Sequence, residues 1–254
     1  MKVYFLGTGT SQGIPVIGSI HPVCHSQDKK DKRLRVSIWV EWDNNSFVID
    51  CGPDFRQQML ASGCSKIDAI LFTHEHSDHT AGLDDIRPFF FKQGDIPIYA
   101  HERVLKNLEK RFDYIFETEN KYPGSPGVFP IEVENNVAID IDSKKIIPIN
   151  AIHGGLQVFG YRFDAFAYLT DVKTIEPAEI NKLKNLEVLV INALREELHN
   201  THFNLQEALD FIAIVQPKKA YLTHIGHTFG FHQEVQKKLP KNVFLAYDNL
   251  IINI

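Results

Sequence analysis

The seven residues Thr73-His74-Glu75-His76-Ser77-Asp78-His79 constrain the fold of this chain more than any other stretch. They bring three imidazoles and the Asp78 carboxylate together directly after Ala69-Ile70-Leu71-Phe72, an apolar run that reads as a buried strand. Metal-competent side chains therefore crowd one strand end. Imidazole suits zinc, iron and manganese, and carboxylate suits the harder of these ions, so the cluster predicts a dinuclear site. His74 and His76 stand two residues apart, and in an extended turn their rings point the same way and can share one ion. Asp78 and His79 follow once the chain turns and can serve a second. A solvated or helix-capping loop is the bland alternative. A zincin helix would need a histidine four residues after His74, where Asp78 stands instead.

The remaining composition is that of an ordinary globular chain: 254 residues, 44% hydrophobic and 23% charged, which predicts one domain spanning 1–254. A net charge of −5 supplies no field that would draw the chain to phosphate backbones or anionic lipid. Nucleic acid is thus disfavoured, though not excluded, as an obligatory partner, and no membrane partner is expected. The opening Met1-Lys2-Val3-Tyr4-Phe5-Leu6-Gly7 is too short an apolar run for a signal peptide. Cys24, Cys51 and Cys64 are odd in number and lack paired spacing, so a reducing, cytoplasmic setting is expected.

In chain order, residues 3–6 predict a first strand, and the glycines of Gly7-Thr8-Gly9-Thr10-Ser11-Gln12-Gly13 predict a tight active-site wall, since no Gly-Lys-Ser/Thr ending marks a phosphate loop. A polar, basic run from Lys29 to Arg35 leads into strands 36–42 and 46–50, joined by Asp43-Asn44-Asn45. Helices are expected over 54–62, stopped by Gly63, and over 102–111, with a strand at 96–100 between them. Phe89-Phe90-Phe91 suits either a pocket floor or the core. Residues 116–130 read as an irregular excursion, a lid or a contact in a homodimer.

The second half repeats one theme. Strand 145–152 ends at His153, strand 166–169 at Thr170-Asp171, and strand 219–222 at Thr223-His224. Ligands collect at strand ends in layered α/β folds, which is the class these alternating strand and helix patterns predict. Val188-Leu189-Val190-Ile191 is a further buried strand, and Asn204-Leu205-Gln206-Glu207 has the residues of a capping box. His199-Asn200-Thr201-His202 lies in the loop before that helix, placed to reach over a site. A last helix at 233–239 and one strand at 244–252 close the chain.

The ordered set His74-x-His76-x-Asp78-His79, His153, Asp171 and His224 resembles the metallo-β-lactamase superfamily. Leu6-Gly7-Thr8-Gly9-Thr10, Ile49 to Arg56, Gly82 to Pro88 and Ala167 to Val172 are similar to the branch containing the phosphodiesterase of the carbon-phosphorus lyase pathway, over essentially the whole chain. The resemblance implies an αββα sandwich of two mixed sheets flanked by helices. It also implies two divalent ions, zinc or manganese with iron admissible. His74, His76 and His153 would hold one ion, Asp78, His79 and His224 the other, and Asp171 would bridge them. It further implies a role for His202 beside the substrate phosphate, with His199 as fallback, and for Asp50 as a support of the metal loop. The branch often carries an additional structural zinc. The corresponding positions here are Ser19, His21, Cys24 and His227, and because Ser19 is a poor ligand a closed site would need His25 or water.

The implied activity is hydrolysis of small or cyclic phosphodiesters, with Asp78 and Asp171 orienting the nucleophile and His202 protonating the leaving oxygen. The rivals are a transfer-RNA 3′ nuclease, which generally needs a basic arm not visible here, and thioester hydrolysis of the glyoxalase II kind. A metal-stabilised binding protein without turnover is the non-enzymatic rival. Arg87 is a candidate phosphate ligand, against a plain salt bridge with Asp84 or Asp85.

Overall fold

A computed structural model describes residues 1–119 and 121–254. In chain order the strands are β1 (Lys2–Gly7), β2 (Ser37–Trp42), β3 (Asn45–Ile49), β4 (Ala69–Leu71), β5 (Ile96–Ala100), β6 (Val128–Glu132) and β7 (Ile139–Ile141). They continue as β8 (Lys144–His153), β9 (Leu156–Phe163), β10 (Phe166–Tyr168), β11 (Val188–Asn192), β12 (Lys219–Thr223), β13 (Val243–Leu245) and β14 (Ile251–Asn253). Among the described residues these form two mixed sheets of seven strands each, ordered β14-β1-β2-β3-β4-β5-β6 and β13-β12-β11-β10-β9-β8-β7.

Period-2 side-chain alternation explains the layering. In β2, Ile38 and Val40 point into a core shared with Tyr161, Phe163, Tyr168 and Val190 of the other sheet, while Trp39 points to the outer face. On that outer face Val48 and Ile70 pack under Phe55 and Met59 of helix Phe55–Ser62 and Val104 and Leu108 of helix Glu102–Arg111. Across the molecule Ala220 and Leu222 of β12 face helices Leu205–Val215 and His232–Lys238 instead, through Phe211, Val215 and Val235. The result is the expected αββα sandwich. Helix boundaries follow local chemistry: Gly63 takes φ 72° to end the first helix, and Asn204 and Glu207 close a complete capping box on helix Leu205–Val215.

Two readings need correction. The stretch 244–252 is not one strand: β13 belongs to the second sheet and β14 to the first. Asn249 turns the chain at φ 66°, and Asp248 fixes the crossing by accepting from the Thr8 hydroxyl at 2.7 Å and the Leu34 amide at 2.6 Å. The excursion at 116–130 is also shorter than expected, because β6 enters it at Val128. Pro130 is tolerated there because, among the described residues, β6 is an edge strand hydrogen-bonded to β5 alone. The lid or dimer-contact reading of this stretch includes residue 120, which lies outside the described residues. Among the described residues, no helix is long and apolar enough to cross a membrane.

Candidate metal centre

The two sheets supply the site jointly. Asp50 follows β3 and His74 follows β4 in the first sheet, whereas His153 ends β8, Asp171 follows β10 and His224 follows β12 in the second. Cross-sheet bonds hold the histidine loop in register: the Tyr161 hydroxyl donates to the Phe72 carbonyl at 2.7 Å and the Phe159 amide to the Thr73 carbonyl at 3.0 Å. Asp50, Asp171 and His224 all take left-handed backbone, with φ of 65°, 58° and 58°. Non-glycine residues pay for that conformation only where the surroundings impose it, and here it turns each strand-end side chain toward the centre.

All seven expected ligands converge. Ligand atoms of His74, His76 and His153 lie within 4.8 Å of one another, as do those of Asp78, His79 and His224. Asp171 belongs to a third such set with His74 and His79, and to a fourth with His153 and His202. Its Oδ2 lies 3.3 Å from His79 Nε2, and its Oδ1 lies 3.4 Å from His224 Nε2 and 4.0 Å from His153 Nε2.

The outer nitrogens are already occupied, which aims the inner ones. His79 Nδ1 meets Asp50 Oδ2 at 2.7 Å, His153 Nδ1 meets the Thr201 carbonyl at 2.7 Å, and His74 Nδ1 meets the Thr73 hydroxyl at 3.0 Å. Tethering the far nitrogen in this way is how proteins fix the ring of a metal-binding histidine. Among the described residues, His79 Nε2 and both nitrogens of His224 are buried without a hydrogen-bond partner. Orphaned buried polar atoms are costly, and a cation among them would satisfy them, so the donor set fits metal ions.

The electrostatics are those of a coupled cluster. Burial pushes the Asp171 carboxyl up, but His224, His79 and His202 outweigh it and hold the group well below the usual carboxylate range. Burial likewise opposes charge on His79, yet Asp171, Asp78 and Asp50 raise its pKa well above the ordinary histidine value. His74 goes the other way, driven well down by burial and by the neighbouring His79.

Several contributors were not legible beforehand. Glu75, between two candidate ligands, receives Arg103 Nε at 2.8 Å and Nη2 at 3.1 Å, and Arg111 Nη1 reaches the Thr80 hydroxyl at 2.7 Å. Helix Glu102–Arg111 thus clamps both ends of the histidine loop, through pairs too far apart in sequence to leave a local signal. Thr73 bonds both Asp50 and His74. Two residues that the sequence did single out also lie at the centre: His202 Nε2 is 3.0 Å from Asp171 Oδ1, and His199 stands behind it, bonded to His202 and Thr201. Arg87 pairs with Asp84, as its bland reading had it. His21 and His227 meet edge to face at 5.2 Å, and Cys24 is buried and accepts from the Val16 amide. None of these three belongs to a set of ligand atoms within 4.8 Å among the described residues.

This sandwich, with histidines and aspartates gathered at its strand ends, is the architecture of the metallo-β-lactamase class of metal-dependent hydrolases. A family model described as "Beta-lactamase superfamily domain" matches residues 45–225, and a crystal structure of a diphosphatase from the PhnP family superposes with TM-score 0.92 at 38% identity, covering 100% of this chain and 97% of that one. The chain therefore belongs to the metallo-β-lactamase superfamily and, within it, to the PhnP-like branch. An octanoyltransferase of Porphyromonas gingivalis is 38% identical over 98% of this chain, which spans about half (51%) of that longer protein. A ribonuclease Z of Bacillus subtilis is 26% identical over 64% of this chain and 48% of its own length. Zinc-bound PqqB from Methylobacterium extorquens shares the fold, with TM-score 0.82 at 15% identity, each chain covered completely.

Proposed function

We propose that residues 1–254 act as one hydrolase unit, a dinuclear metal-dependent phosphodiesterase taking small or cyclic phosphodiesters. The observation that carries this reading is the placement of two ligand sets, His74/His76/His153 and Asp78/His79/His224, with Asp171 facing both. The first set would hold one ion and the second the other, with Asp171 between them. Two divalent cations bound there, zinc, manganese or iron, would lower the pKa of a water and neutralise phosphoryl charge. Asp78 and Asp171 accept hydrogen bonds from the attacking water and so orient it. His202 donates a proton to the departing oxygen. The diphosphatase named among the relatives supports phosphoryl chemistry at such a centre. Free, buried cysteines suit a cytoplasmic setting.

The ribonuclease Z relatives favour a second reading, cleavage of an RNA phosphodiester, and the octanoyltransferase relative makes an octanoyl thioester a third substrate to assay. The test is turnover of bis-p-nitrophenyl phosphate and cyclic phosphates by protein loaded with manganese or zinc, beside a precursor transfer RNA and an octanoyl thioester. Phosphodiester turnover in the parent and its loss in His76→Ala and Asp78→Ala are expected; activity persisting in either variant overturns the assignment. His202→Ala should keep its metal and lose roughly 10²–10⁴ in rate. Lost metal would make His202 a ligand instead.

A further inference from the structure

Outside the histidine centre, the basic run at 29–35 lines a cavity of about 850 Å³. Lys29, Lys30 and Lys32 are among its lining residues, together with Pro15, Gln57 and Tyr247. None of the seven candidate ligands reaches it. The volume is that of a small-molecule site.

We propose that this cavity is a second binding site, for a compact anion of the diphosphate class, held by Lys29, Lys30 and Lys32. These three ammonium groups have no carboxylate within ion-pairing distance among the described residues. Lys32 Nζ donates to the Cys24 carbonyl at 3.1 Å, and Lys30 Nζ is held 4.3 Å above the Tyr247 ring. Two carboxylates, Asp28 and Asp248, share the lining and keep their negative charge, since their partners are neutral donors, so with Lys29, Lys30, Lys32 and Arg33 the lining carries four cationic against two anionic side chains. Asp28 accepts from the Lys30 amide at 2.9 Å and from Gln233 at 3.0 Å, and Asp248 accepts from Thr8 and Leu34. The buried Arg33 guanidinium also lines the cavity, bonded to the Thr8 hydroxyl and the Ala246 carbonyl, and it faces Asp248, Asp31 and Asp28, so the three lysines supply the field open to a ligand.

The surrounding charge limits the ligand. A chain carrying −5 overall repels a long polyanion along most of its surface, whereas a compact multivalent anion meets only the local field. Diphosphate carries that charge in a volume the cavity holds. Its source is either free inorganic pyrophosphate or the diphosphate of a nucleotide.

The experiment is calorimetric titration of the full, chelator-treated chain with pyrophosphate and, separately, with ADP at low salt. Removing metal keeps anions from binding through ions at the histidine centre. One pyrophosphate per chain is expected, weakened about tenfold or more in K29Q/K30Q/K32Q and steeply weakened by added salt. The Asp78→Ala protein should bind as the parent does, which separates this site from the proposed catalytic one. Tighter ADP than pyrophosphate identifies a nucleotide, and the reverse identifies the free anion. No binding at millimolar pyrophosphate, equal binding in the triple lysine variant, or binding lost in Asp78→Ala overturns the proposal. A matched thermal midpoint for the lysine variant shows that its fold is intact.

Discussion

His79 Nδ1 sits 2.7 Å from Asp50 Oδ2, and neither side chain is exposed. Asp50 also takes the Thr73 amide at 2.8 Å and the Thr73 hydroxyl, so one carboxylate sets both the ring that faces Asp171 and the start of the histidine loop. Asp50→Ala leaves His79 Nδ1 buried without its partner. The expected cost is about 3–5 kcal/mol of stability, the range for breaking a buried pair, together with roughly 10- to 100-fold weaker metal retention. Denaturant midpoints and metal content after dialysis measure the two effects. Parent-like metal retention in Asp50→Ala would show that Asp50 does not position His79.

Gly52 sets the other side of the same loop. A Cβ on it would lie 2.1 Å from the Asp78 carbonyl oxygen, and one on Gly82 would lie 2.0 Å from the Gly52 carbonyl oxygen. Backbone thus stacks on backbone at this point, and neither neighbour is a side chain that can swing away. Gly52→Ala should push the Asp78 turn outward, costing about 1–3 kcal/mol and cutting metal content along with turnover. Equilibrium metal analysis on the folded variant decides the point: a full metal complement would mean that the turn tolerates the shift.

How much of this was readable depended on how local the cause is. The cluster 74–79, the capping box at Asn204 and Glu207, and the Gly63 stop each follow from neighbours in sequence, and each stands where expected. His153, Asp171 and His224 could be picked out because apolar strands deliver them, although the left-handed backbone that aims Asp171 and His224 leaves no mark in residue type. The division of 244–252 into two strands depends on Thr8 and Leu34 gripping Asp248 from more than two hundred residues away. The Glu75–Arg103 clamp is equally non-local. An apolar stretch with a single Asp-Asn inside it reads as one strand until its distant partners are known.

The buried His232 provides a pH test removed from the centre. Burial, reinforced by Arg33 and Lys30, pushes its pKa down to about 4, and its Nδ1 lies 3.3 Å from Arg33 Nη2. An unfolded histidine titrates near 6.5, so between pH 6.5 and 4 the unfolded chain binds a proton that the folded chain refuses. This group therefore removes stability as pH falls through that window. Asp248 acts in the opposite sense: burial lifts its pKa to about 6, so the folded chain keeps a proton that the unfolded chain has released, and its contribution fades as pH rises toward 6. His232→Gln isolates the first effect. Whatever the substitution costs at pH 7, the cost should be about 2 kcal/mol smaller at pH 5, because the variant no longer suffers the histidine's acid loss. Urea midpoints of both proteins at the two pH values give this difference directly, with every other titrating group common to both. An unchanged cost would place the folded-state pKa of His232 near its unfolded value and show that the buried Arg33 contact does not exclude the charged ring.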